Sequence, residues 1–218
     1  MLTPEVEALA GLSAALATGS AEAVDRRLRQ SLHAARPEAV EEVVLQAHLF
    51  VGFPAVLNAF VRWRELHEGP PGVVERGNAD HGARGEAVCR VVYGSAYERL
   101  RGTVAALHPD LDLWMVEEGY GRVLGRPGVP LAVRELCIIA LLVPQDAPRQ
   151  LHSHLRGALH AGVSTAEIRA VLDVAAAEAE ASVASSDARA RSSAVWRRVH
   201  ERHRSRSDAE SPPSSEGR

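Results

Sequence analysis

RELCIIALLVPQDAPRQLHSHLRGALHAGVSTAEI, residues 134 to 168, decides the fold. Leu136 to Pro144 is an unbroken apolar run, and a helix that is apolar all round is a buried one. Arg134 and Glu135 stand near its start. Asp146 is a good N-cap for a second helix, with Pro148 tolerated in its first turn. Leu151, Leu155, Ala158 and Leu159 give that helix an apolar stripe, and His152 and His154 flank it. Gly162 suits the position just past a helix end. Ser164 and Glu167 form a capping box for a third helix that buries Ile168, Val171, Leu172 and Ala175.

Helical spacing continues outward on both sides. Val6, Leu9, Leu12 and Leu16 make one stripe, and Val24, Leu28 and Leu32 the next. Pro37 fits a first helical residue ahead of Val40, Val43, Val44 and Ala47. Gly52-Phe53-Pro54 interrupts before Leu57, Phe60 and Val61. Tyr97, Leu100, Val104 and Leu107 predict a packed helix, as do Leu113, Val116, Tyr120 and Val123. The expected organisation is an N-terminal unit over residues 1–66, a Gly- and Pro-rich linker over 67–83, a C-terminal unit over 84–202 and a disordered tail over 203–218. Ser31-Leu32-His33-Ala34 aligns with Ala158-Leu159-His160-Ala161, which makes the first unit a degenerate repeat of the second. At that offset Ala8 stands for Glu135 and Arg27 for His154, so the polar pair belongs to the second unit alone.

Composition narrows the function classes. All 25 basic residues are arginine, which excludes Schiff-base, pyridoxal phosphate and P-loop lysine chemistry. A net charge of −3 and 4% aromatic residues give no basic, base-stacking surface for nucleic acid. The two cysteines, Cys89 and Cys137, form no CxxC and read as buried reduced thiols of a cytoplasmic protein. Leu136 to Pro144 is too short to cross a bilayer, so no membrane partner is expected. His152 and His154 point about 200° apart on a helix and cannot chelate one ion, and HExxH is absent, so no metal is expected.

A carboxylate beside a buried apolar run has a raised pKa if unpaired, which suits Glu135 to acid–base work; on position alone, an ion pair with Arg134 or another Arg, or exposure at the helix start, is the commoner arrangement. Helical geometry leaves open which of His152 and His154 faces it. In EEGYGRVLGRPG, residues 117 to 128, Tyr120, Arg122 and Arg126 are either a substrate-binding group or a glycine-held turn with solvated arginines.

These residues together resemble the carboxymuconolactone decarboxylase family, which has the alkylhydroperoxidase-D-like all-helical fold. RGEAVCRVVYG (84–94), LHPDLDLWMVEEGYGRVLGRPGV (107–129), RELCIIALL (134–142) and QLHSHLRGALHAGVSTAEI (150–168) carry the resemblance. EEVVLQAHLFVGFPAVLNAF, residues 41 to 60, is similar to a further family segment. The resemblance implies an all-α bundle of two related units and a homo-oligomer without cofactor. Glu135 and His154 fit the family's Glu and final His. The CxxC positions of the peroxidase branch fall on Ala147 and Gln150, so disulfide-based peroxide reduction lacks its pair. What remains implied is cofactor-free decarboxylation or proton transfer on a small anionic substrate, such as a carboxylated lactone. Glu135 and His154 would move the proton. Arg126, Arg134, Tyr120 and His152 would bind substrate. The alternatives are a thiol-dependent peroxide reductase using Cys137 and a non-catalytic helical scaffold. A pocket is expected between the Glu135 and His154 helices.

Overall fold

The computed structural model describes residues 1–72, 75 and 80–182. Among them there is no strand. The helices are α1 (Pro4–Thr18), α2 (Ala21–Ala34), α3 (Pro37–Leu66), α4 (His81–Tyr93), α5 (Tyr97–Leu107), α6 (Pro109–Trp114), α7 (Leu131–Leu142), α8 (Pro148–His160) and α9 (Thr165–Ser182). A π-helical segment, Met115–Leu124, follows α6 directly. The all-α bundle expected from the spacing is the fold observed.

The starts and stops follow local chemistry. Thr3, Ser20 and Asp80 cap α1, α2 and α4 through their side-chain oxygens. Ser164 and Glu167 form the predicted capping box: Glu167 N donates to Ser164 Oγ at 3.2 Å and Ser164 N to the Glu167 carboxylate at 3.0 Å. Gly162 ends α8 with φ +87°, a conformation that favours glycine. Gly52 breaks α3 with φ 76° and ψ 169°, at the predicted interruption. Asp146, by contrast, caps nothing. Ala147 occupies the N-cap because Pro148 takes the first helical position, and Asp146 sits in the preceding turn at φ 51°.

α1 and α7 pack against each other, α1 also on α2, α3 and α9, and α7 also on α3, α8 and α9. Residues 1–182 are therefore one compact unit, and the stretches before and after residues 67–83 share a core. One cluster joins Leu9, Leu12, Leu28, Val40 and Val43 to Cys137 and Leu141. A second joins Ala10 and Ala14 to Ile139, Ala158 and Val171. A third joins Cys89, Val92, Tyr120 and Val123 to Ile138 and Leu142. Arg26 and Arg27 of α2 pair with the buried Glu178 of α9. The expected tail over 203–218 and the end of the C-terminal unit lie outside the described residues.

Some apolar residues expected inside are outside. Leu107, Leu113 and Leu159 are exposed, because α5 and α6 are anchored mainly by Tyr97 and because α8 presents His154, Gly157 and Ala158 inward. α3 is long and apolar enough to cross a membrane by length and composition. Interspersed polar residues such as Glu42 and Gln46 hide that from a count of unbroken apolar runs. Val40, Val43, Val44, Ala47 and Trp63 on this helix are core residues of the bundle.

α4 and the π segment meet backbone to backbone. A Cβ on Gly85 would collide with the carbonyl oxygen of Val116, and one on Gly121 with that of His81. The wide winding is carried by bonds such as Gly125 N to Tyr120 O at 2.8 Å, five residues back. This contact delivers Tyr93 and Tyr120 to the same buried spot.

Candidate functional site

Residues Arg134 to Leu142 of α7 are all buried, so the polar side chains among them must find partners inside the protein. Glu135 points at α8. Its Oε2 lies 2.9 Å from Nδ1 of His154. Glu135 is fully buried, whereas the His154 side chain keeps 9% of its surface exposed. Its other carboxylate oxygen, Oε1, is buried without a hydrogen-bond partner among the described residues. Leaving a buried acceptor unpaired costs about 1–3 kcal/mol, so this oxygen is a place for a further hydrogen-bond donor.

Gly157, one turn beyond His154, makes the pairing possible. A Cβ there would lie 2.8 Å from Glu135 Oε2 and 2.6 Å from Val92 Cγ1. We expect Gly157→Ala to displace the carboxylate and to destabilise the fold by about 1–3 kcal/mol, read as a lowered midpoint in urea unfolding.

His154 is braced on its other side by Phe50, whose ring meets the imidazole edge-on with centroids 6.2 Å apart. Gln145 Nε2 donates to the Phe50 carbonyl at 2.7 Å and fixes the chain just before the Gly52 break. With the carboxylate ionised, Nδ1–H of His154 donates to it, and Nε2 is left for a reacting partner. This is the division of labour in which a buried carboxylate orients an imidazole that does the proton transfer.

Tyr120 is buried, hydroxyl to hydroxyl with Tyr93 at 2.7 Å. Burial pushes the Tyr93 phenol up to about 12, with the charge of Glu135 adding to it. Burial, then the neighbouring Tyr93 and Glu135, holds Tyr120 well above the ordinary 10.0. Both phenols therefore stay neutral at physiological pH. Burial also pushes Cys89 and Cys137 up to about 12, so neither supplies much thiolate.

The two arginines expected to hold a substrate carboxylate are engaged by an internal one. Arg134 is fully buried; its Nη2 donates to Glu42 Oε2 at 2.8 Å and its Nη1 to Gln46 Oε1 at 3.2 Å. Its Nε reaches the Val129 carbonyl at 3.2 Å. Arg126 grips the same Glu42, with Nη2 to Oε1 at 2.8 Å and Nε to both oxygens at 3.1 Å. A ligand carboxylate would have to displace Glu42. Desolvation alone would raise the Glu42 carboxyl, but its bonds to Arg126 and Arg134 hold it below the ordinary 4.5.

His152 lies on the other face of α8, exposed, and lines a cavity of about 230 Å³ with Val92, Tyr93, Arg99, Arg156 and His160. Neither Glu135 nor His154 lines that cavity. Between α7 and α8, where a pocket was expected, Glu135 and His154 meet at 2.9 Å. Sequence reasoning missed Tyr93, Gly157, Phe50 and Glu42. All four stand in segments that resemble the family, Glu42 and Phe50 in 41–60, Tyr93 in 84–94 and Gly157 in 150–168, but the groups they meet lie far away in sequence.

Residues 109–190 match the model of the Carboxymuconolactone decarboxylase family. Peroxisomal protein 2 of Schizosaccharomyces pombe is 32% identical over 143 residues, 62% of this chain and 66% of that protein. Nitrosuccinic acid decarboxylase of Metarhizium robertsii is 37% identical over 94 residues, 42% of this chain and 65% of that protein. The chain thus spans just under two thirds of the length of each of these relatives. No solved structure matches it. The region from the start of α6 onward, which holds both Glu135 and His154, is thus a carboxymuconolactone decarboxylase family region.

Proposed function

We propose that this protein catalyses cofactor-free decarboxylation, or the related proton transfer, on a small carboxylated lactone or similar acid. The observation that carries the reading is the 2.9 Å bond between the fully buried Glu135 and the slightly exposed His154. The family match and the decarboxylase named among its relatives support it.

The chemistry assigns each group a part. When CO2 leaves, the carbon–carbon bond breaks and its electron pair stays on the substrate carbon. A conjugated acceptor on the substrate, such as a lactone carbonyl or a nitro group, spreads that charge, so no imine is needed. A proton must then reach the carbon. His154, protonated, delivers it from Nε2 and regains one from solvent; Glu135 orients the ring and stabilises its cationic form. Glu135 is thus a positioning residue, because its burial keeps it from the substrate. The thiol-peroxidase alternative loses ground through the two buried, undissociated thiols. The homo-oligomer is part of the same proposal, supported by Phe53, Leu57 and Val61, which form an exposed apolar stripe four residues apart on α3.

The test is CO2 release by the purified protein from a panel of carboxylated unsaturated lactones and nitro-substituted dicarboxylic acids. Turnover of at least one class without added metal or cofactor is expected. Failure across the panel would sink the proposal.

A further inference from the structure

The groove between α4–α5 and α8 has the make-up of a separate binding site. Its floor is apolar, from Val92, Ala96 and Leu100, and its rim carries Arg99, Arg156 and His152. Among the described residues, no acidic one lines it. Arg99 and Arg156 have no ion-pair partner among the described residues, while nearby Arg90 and Arg101 are each paired with acids. His160 is fixed: its Nδ1 lies 2.8 Å from the Val92 carbonyl, which can only accept, so the proton sits on Nδ1 and Nε2 is not tied to the chain there.

Two uncompensated guanidinium groups over an apolar floor suit a molecule with a charged head and an apolar body. Guanidinium recognises a carboxylate through paired, charge-assisted hydrogen bonds. At about 230 Å³ the cavity is somewhat below the range of drug-sized pockets, so the occupant is a small one. The groove also shares a wall with the catalytic pair. Val92 lines it, and Val92 Cγ1 and Glu135 Oε2 both lie close to where a Cβ on Gly157 would stand, at 2.6 and 2.8 Å.

We propose that this groove binds a small organic acid with an apolar body, its carboxylate held by Arg99 and Arg156 and its chain lying on Val92, Ala96 and Leu100. The site is distinct from the Glu135–His154 pair and goes beyond the decarboxylase reading. Binding here is measured at equilibrium, without turnover, so its failure and that of the decarboxylation assay are separable.

Isothermal titration with hexanoate, and with neutral hexanamide as its isostere, tests the proposal. Hexanoate is expected to bind, and hexanamide about 10-fold more weakly or worse, as is hexanoate to the double variant Arg99→Gln, Arg156→Gln. Ala96→Trp, which fills the floor and keeps both charges, is expected to abolish binding. Circular dichroism and thermal melting should show both variants folded like the parent. Absence of heat with hexanoate would overturn the proposal. So would equal affinity for hexanamide, or parental affinity in either folded variant.

Discussion

His154→Gln is expected to slow CO2 release by about 10²- to 10⁴-fold, the range ascribed to a positioned acid–base group. Glutamine keeps much of the side-chain volume and places a neutral hydrogen-bonding group near the position of Nε2. What disappears is a group that can gain and lose a proton at Nε2. The loss should fall on kcat more than on KM, because the geometry gives His154 a part in the reaction rather than in holding the substrate. Initial rates at saturating substrate, with a thermal melt alongside, check it. A parental rate in a folded variant would remove His154 from the chemistry.

Glu42→Gln is expected to cost about 3 kcal/mol of stability at pH 7, because it leaves the fully buried Arg134 without its acidic partner. Arg126 loses the same partner. The effect should depend on pH. The Glu42 carboxyl sits below its ordinary 4.5 in the folded protein, so its contribution is fully present above that value. It is lost as pH falls through the folded value, where the parent becomes protonated and loses its charged partner as the variant has. Urea unfolding of both proteins should therefore show a wide gap at neutral pH that narrows below about 4.5. A gap that stays constant into acid would mean that the Glu42 charge is not what holds Arg134.

Much of the fold was legible because burial imposes a period. The stripes of α1, α2 and α9, the Gly52 break and the Ser164–Glu167 box all depend on residues within a few positions of one another. The site was only half legible for the same reason. Glu135 and His154 could be named, but nothing local distinguished His154 from His152; the contact across 19 residues between α7 and α8 is what separates them. The pairing of Arg126 and Arg134 with Glu42 could not be read from the sequence, because Glu42 is 84 and 92 residues away on α3. The failure at Leu107 and Leu159 is of another kind. An apolar stripe says which face of a helix would be buried, not whether anything covers it.

The claim on which the functional reading depends is that Glu135 and His154 act as one unit. A double-mutant cycle on the rate of CO2 release, with Glu135→Gln, His154→Gln and both together, measures that directly. The predicted result is a double variant no slower than His154→Gln alone, since Glu135 works only through the imidazole. Losses that multiply, or single variants that turn over like the parent, would contradict it.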